Sequence, residues 1–294
     1  MAEYSPFMVF GASGLIGSSI WGKLPQSRRV GTFHKFPKND LLPIDIQDKH
    51  AIRQFIQRVK PSIIWHAAAL ANVDWCETHR DECWAVNVSG TQNIVLAAKE
   101  VGAKLIFFSS DYIFDGKHGP YDEDSLPSPI NLYGEAKLEA EQVICRELTD
   151  YLIIRVTVVY GKESQNKNFV IRLLQTLQQG KIIQVPIDQV GNPTYVDNLA
   201  DAALELVCRK QRGIFNVAGS ERMTRYAFAC LAAQIFGLDS TKIIPVSTDE
   251  LHQNARRPLN AGMNVEKTQS IITTPLLSPQ EGLQRLKLQD HQII

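Results

Sequence analysis

The chain has 294 residues, 44% hydrophobic and 21% charged, which excludes disorder as its main state and suffices for one large domain or two closely joined ones. Its 31 basic and 31 acidic residues cancel, so no global field favours a polyanion, and no nucleic-acid partner is expected. No apolar stretch approaches the roughly 18 residues of a membrane span, and the first ten residues lack a secretory pattern, so a cytoplasmic protein with no membrane partner is expected.

In chain order, Phe7 to Phe10 is an apolar run ending at Gly11, which reads as a strand buried on both faces. A helix over 14–24 stops at Pro25, and a second strand covers 30–34. The spacing of Ile52, Phe55, Ile56 and Val59 predicts a helix over 49–59. Further strands are read at 63–67 and 104–109, with a helix over 81–101 between them, closed by Gly102. A helix over 131–148 and a fifth strand over 151–160 follow. Strand and helix alternate with short links, the pattern of a doubly wound parallel α/β sheet. Beyond 165 the rhythm loosens into helices over 169–179, 197–210 and 224–236, with extended segments at 182–185 and 214–218. The expected division is a dinucleotide-binding domain over 1–165 and, over 166–294, mainly a smaller substrate-binding lobe, some of which returns to the main sheet.

The five cysteines, 76, 83, 145, 208 and 230, include no C-x-x-C pair, and the seven histidines are scattered. Reduced, mostly buried thiols are expected, with no metal site. His66, inside the third strand, reads as a packed histidine with one satisfied nitrogen.

Gly11, Gly14 and Gly17 form G-x-x-G-x-x-G between the first strand and first helix, with Ser13, Leu15 and Ile16 completing the loop. In that position glycines let backbone approach a pyrophosphate, and the helix N-terminus offers it free N–H groups. The second strand ends at His34 and Lys35 with no acid to hold a ribose 2′-hydroxyl, which favours NADP(H) and leaves NAD(H) open. Asp45, beside Ile46, either accepts from the adenine amino group or caps the next helix.

Tyr133 and Lys137 are spaced i, i+4, on one face of a predicted helix. A lysine beside a phenol favours the phenolate, so Tyr133 is expected to exchange a proton near neutrality. Ser110 ends the fourth strand, where open α/β sheets bind ligands, and its hydroxyl is expected to hold a substrate oxygen.

The segments Ala67 to Asp74, Val86 to Gly90, Ser109 to Gly116 (SSDYIFDG), Asn131 to Lys137, Asn168 to Val170, Asp188 to Thr194 (DQVGNPT) and Arg257-Pro258 carry a resemblance. The chain resembles the extended short-chain dehydrogenase/reductases, a Rossmann-type fold, and among them the dTDP-4-dehydrorhamnose reductase group. The resemblance implies a triad of Ser110, Tyr133 and Lys137. Lys137 would also hold the nicotinamide ribose. Ala67, Ala68 and Ala69 would pass beneath the cofactor. Val73, Asp111, Asn168 and Arg257 would face a nucleotide-sugar substrate, the last two toward its nucleotide end. Asp188 and Gln189 would instead fix the loop leading to Pro193.

By the same resemblance, the reaction is reduction of a nucleotide-linked 4-keto-6-deoxy sugar. Val158 stands where that group usually has tryptophan, so the pocket is expected to be wider, or filled by Tyr160, Tyr195 or Met223. The regulatory β subunits of methionine adenosyltransferase are similar too, and also lack that tryptophan. They imply the alternative of an NADP-binding regulator with a partner enzyme. A homodimer is compatible with either reading. A dehydratase would carry further acids after the strand-end serine, whereas here Asp111 is followed by Tyr112.

Overall fold

A computed structural model describes residues 5–289. The first half contains β1 (Phe7–Phe10), α1 (Leu15–Lys23), β2 (Arg29–Phe33), β3 (Leu41–Pro43), α2 (Lys49–Val59) and β4 (Ile63–His66). Then come α3 (Val73–Thr78), α4 (Arg80–Trp84), α5 (Thr91–Val101), β5 (Lys104–Ser110), α6 (Leu132–Glu147) and β6 (Tyr151–Val156). The second half comprises β7 (Val159–Tyr160), α7 (Phe169–Gln178), β8 (Ile183–Pro186), β9 (Val190–Gly191), β10 (Thr194–Tyr195) and α8 (Val196–Cys208). It ends with β11 (Gly213–Asn216), β12 (Met223–Thr224), α9 (Arg225–Phe236), β13 (Ile243–Val246), α10 (Glu266–Ile271) and α11 (Pro279–Gln289).

Seven strands form one sheet in the order β11-β6-β5-β4-β1-β2-β3, and every neighbouring pair is parallel. A parallel sheet needs cover on both faces, and alternation along each strand supplies it. Val9, Trp65, Ile106 and Ile154 point to one side, against Ile20 of α1 and Leu199 of α8. Met8, Phe10, Ile64, Leu105 and Ile153 point to the other, against Ile52, Ile94 and Val143 of α2, α5 and α6. Strand order reverses at β1, which sends the chain to β2 on one side and meets β4 on the other. The crevice outside those strand ends is where such sheets take ligands.

The later half divides its work. β11 extends the main sheet beside β6, and α8 covers it. Helices α7, α9 and α11 with β8 and β13 build a separate apolar cluster around Val170, Leu174, Phe228 and Leu283.

Two elements differ from the sequence reading. The fifth strand ends at Val156, and the chain breaks at Thr157 and Val158 before β7 pairs with β10. Val158 holds φ at 43°, a conformation a β-branched residue rarely adopts. The helix expected over 81–101 is interrupted by a wide π-type turn over Ala85–Gly90. There the Asn87 side chain accepts from Leu70 N (2.9 Å) and donates to Leu70 O (3.0 Å), while a Cβ on Gly90 would lie 2.7 Å from Ile46. All five cysteines are free, but only Cys76 and Cys83 are buried, while Cys145 and Cys208 are exposed.

Arg155 of β6 is buried and pairs with Glu141 of α6 through two bonds of 3.1 and 2.8 Å, with a third to Glu123 O. Glu123 in turn accepts from Asn216 N of β11. Removing one partner strands a buried charge, so Glu141→Ala is expected to cost about 3–5 kcal/mol, read from urea unfolding. A loss below about 1 kcal/mol, the surface-pair range, would show the pair is solvated.

Candidate active site

The turn after β1 is built by close backbone approach. Gly11 has φ of 77°, and a Cβ there would sit 2.7 Å from Ala68 N. A Cβ on Gly17 would collide with the Gly11 carbonyl, so α1 presses onto the turn. At Gly14 the added atom meets only Gly11 O, at 3.4 Å. α1 starts with no side-chain cap and no acid in its first turn, leaving its N–H groups and dipole for an anion. Leu15 and Ile16 open that helix, and Ser13 O accepts from Gln165. Ala67 N bonds Phe10 O, which brings the Ala67–Ala69 segment beneath the same turn. This cradle fits a dinucleotide pyrophosphate.

At the far strand end, His34 Nε2 lies 3.8 Å from Asp45, and Lys35 Nζ lies 3.4 Å from Glu82. All four side chains are well exposed. Asp45 also accepts from Gln47 N (2.9 Å), whereas Asp48 is the residue that caps α2. Ile46 is buried against Gly90.

Ser110, Tyr133 and Lys137 come together at the end of β5. Lys137 reaches from α6 to donate to Phe108 O at 2.9 Å, and its Nζ is 5.9 Å from the Tyr133 ring centre. Ser110 donates to Asp111 Oδ1 (3.0 Å) and accepts from Tyr112 N (3.2 Å). Asp111 Oδ2 accepts from Thr157 at 2.7 Å. Burial pushes the Tyr133 phenol well above its ordinary value, Asp111 adds to the rise, and the Ser110 hydroxyl opposes it. The sequence reading had Lys137 drawing this phenol down toward neutrality. Instead, Lys137 is itself pulled down to about 8, by burial. Tyr133 therefore keeps its proton at neutral pH. His66 bonds Thr91 through Nε2, its Nδ1 has no partner, and burial lowers it to about 3.

Beside Ser110 a cavity is lined by Asp111, Tyr112, Val158, Met223, Arg225 and neighbours. The break after β6 is what turns Val158 into its wall. Of the three side chains considered as fillers, Met223 lines the cavity. Tyr160 and Tyr195 belong to the apolar cluster behind it, bonded to Pro279 O and Asp197.

Of the other expected substrate residues, Val73, Asn168 and Arg257 are not among those lining this cavity. Val73 opens α3, and its neighbour Asp74 pairs with Arg257 at 2.7 Å. Asn168 caps α7 and donates to Gly161 O and Glu163, so its polar atoms already have structural partners. Asp188 and Gln189 both bond Thr248, fixing the loop toward Pro193. Sequence reasoning missed Thr157 and Arg225. The signal for Arg225 was a cation at the first position of a helix, against the dipole preference. Thr157 carried none.

Among the described residues no helix is long and apolar enough to cross a membrane, and no cluster of three His, Cys, Asp or Glu is placed to hold a metal ion.

Residues 6–291 match the RmlD substrate binding domain family. The chain is 30% identical to methionine adenosyltransferase 2 subunit beta of Bos taurus over 90% of this chain and 81% of that one. It is 32% identical to the spore coat polysaccharide biosynthesis protein SpsK of Bacillus subtilis (strain 168), over 85% and 86% of the two chains. Among solved structures, dTDP-4-dehydrorhamnose reductase from Bacillus anthracis str. Ames in complex with NADP superposes with a TM-score of 0.88. That likeness spans 97% of this chain and 99% of the other at 29% identity.

Burial raises Asp111 from 3.8 to about 6. The folded protein thus holds this proton more tightly than the unfolded chain does. The resulting stability is full below pH 3.8 and is lost as pH rises through about 6. Asp111→Asn removes this dependence. Its stability relative to the parent should rise from pH 4 to pH 7 by on the order of 2–3 kcal/mol, measured by denaturant unfolding at both values. An unchanged difference would assign the titration elsewhere.

Proposed function

The chain belongs to the RmlD substrate binding domain family, and on that premise we propose that it is an NADPH-dependent reductase of a nucleotide-linked 4-keto sugar. The observation that carries this reading is the convergence of Ser110, Tyr133 and Lys137 at the end of β5, beside the glycine cradle of β1. The cradle and the first turn of α1 hold the pyrophosphate, and His34 and Lys35 stand where a 2′-phosphate would lie. When bound, the cofactor supplies a hydride.

The chain's own residues do the rest. Ser110 holds the carbonyl oxygen of the substrate by turning its single hydroxyl proton from Asp111 to that oxygen. Tyr133, protonated at neutral pH, donates to that oxygen as it becomes an alkoxide. Lys137, anchored to Phe108 O, places positive charge near the phenolate that remains. Thr157 keeps its hydrogen bond to Asp111 when the Ser110 proton turns away.

A second reading has its own support in the likeness to methionine adenosyltransferase 2 subunit beta and in Val158. In it the same site binds NADP(H) while the protein regulates a partner enzyme.

The test is NADPH oxidation in the presence of dTDP-4-keto-6-deoxy sugars. Tyr133→Phe should lower turnover about 10²–10⁴-fold, with cofactor affinity by calorimetry unchanged. Full activity in that variant would remove Tyr133 as the proton donor. No turnover by the parent, together with co-purification of a methionine adenosyltransferase, would favour the regulatory reading. Replacing His34 and Lys35 by alanine should weaken NADPH by about tenfold or more, the worth of one charge-assisted hydrogen bond, and leave NADH unaffected. Equal loss for both cofactors would overturn the 2′-phosphate assignment.

A further inference from the structure

The substrate cavity contains a cation that the proposed reduction does not use. Arg225 is the first residue of α9 and lines the cavity with Asp111, Tyr112 and Val158. Its placement is fixed from three sides. Its N–H bonds Gln189 O at 2.8 Å, the pairing of β12 with β9 holds the helix start against the loop, and the guanidinium lies 4.8 Å over the Phe169 ring.

Arg225 is half-buried, and two other arginines of the interior, Arg155 and Arg257, have partners. Arg155 is paired with Glu141, and Arg257 with Asp74 and Ala255 O. Among the described residues, the Arg225 guanidinium has neither a hydrogen-bonded acceptor nor an ion pair. Asp111 faces it, but one of its oxygens accepts from Ser110 and the other from Thr157. Arg172 and Arg257 add like charge nearby, against the opposite charge of Asp111. The helix dipole also opposes a cation at this end. A planar fork of donors held in such a place matches an oxyanion with two oxygens.

We propose that Arg225 binds an oxyanion of the substrate, so that this site prefers a nucleotide sugar bearing a carboxylate over a neutral one. The inference rests on the nucleotide-sugar reading above. The same chemistry is present in the diphosphate, and the position of Arg225 beside Asp111, next to the reacting end, favours the sugar carboxylate.

The test uses the full chain with NADP present and two matched pairs of probes, UDP-glucose with UDP-glucuronic acid and dTDP-glucose with dTDP-glucuronic acid. Calorimetry should show the acid of a pair bound about tenfold or more tighter than its neutral partner, as one charge-assisted hydrogen bond supplies. Arg225→Gln should erase that difference and leave the neutral sugar unchanged. Arg225→Lys, a point charge without the fork, should retain part of it. Thermal unfolding of each variant checks that the fold is kept. Equal weakening of acid and neutral sugar by Arg225→Gln would overturn the carboxylate preference and place the Arg225 contact at the diphosphate. Unchanged binding of all four probes by the folded variant would overturn the proposal alone. If the parent binds none of the four, the nucleotide-sugar reading fails and this inference fails with it.

Discussion

The close seat of α6 on the end of β5 is the contact on which the site depends. Lys137 crosses from the helix to the Phe108 carbonyl, and a Cβ on Gly134 would collide with the Tyr112 carbonyl. Only a glycine permits that approach. It brings Tyr133, one residue earlier, over Ser110. Asn131 caps the same helix through Gly134 N and donates to Arg256 O, so the 255–258 segment is tied to the helix start. Behind this seat the Arg155–Glu141 pair joins α6 to β6. Loosening any of these would separate a proton donor from the oxygen it serves.

Proton states in this cluster follow burial more than pairing. Desolvation is the first cause at Tyr133, Asp111, Lys137 and His66 alike. The i, i+4 spacing of Tyr133 and Lys137 is legible in the sequence. The dominance of the apolar surroundings over their mutual effect is not, because it arises from residues distant in the chain. A phenol that keeps its proton at neutral pH has one to give to a forming alkoxide, although the same rise makes it a weaker acid.

Local patterns were readable where local forces decide. The amphipathic spacing of α2 gave its bounds, and the glycines of the first turn marked the cradle. What stayed hidden was set by tertiary contact. The run Arg155 to Tyr160 reads as one β-branched strand, yet packing of Thr157 on Asp111 and of Thr194 on Thr157 O breaks it. The turn over 85–90 depends on Asn87 reaching back to Leu70, a contact no periodicity encodes. Ser110, Tyr133 and Lys137 were found because their order and spacing survive in one dimension. Arg225 leaves only a faint mark in sequence, a cation at a helix start, because its meaning is the absence of a partner.

The break at 157–158 therefore separates two kinds of residue. On one side, Ser110, Tyr133 and Lys137 sit on β5 and α6, rigid elements of the main sheet. On the other, Val158, Met223 and Arg225 sit on the strand break, on β12 and on the start of α9, outside that sheet. Substitution on the second set changes the shape and charge of the cavity and reaches Ser110 through the bonds of Asp111 to Thr157 and Ser110. A chain can still keep the proton-transfer apparatus of its family while its substrate wall changes. Likeness over nearly the whole length to proteins as different as a reductase and a methionine adenosyltransferase subunit is what such a partition allows. On the reading proposed above, the residues around Arg225, more than Ser110, Tyr133 and Lys137, decide what this protein binds.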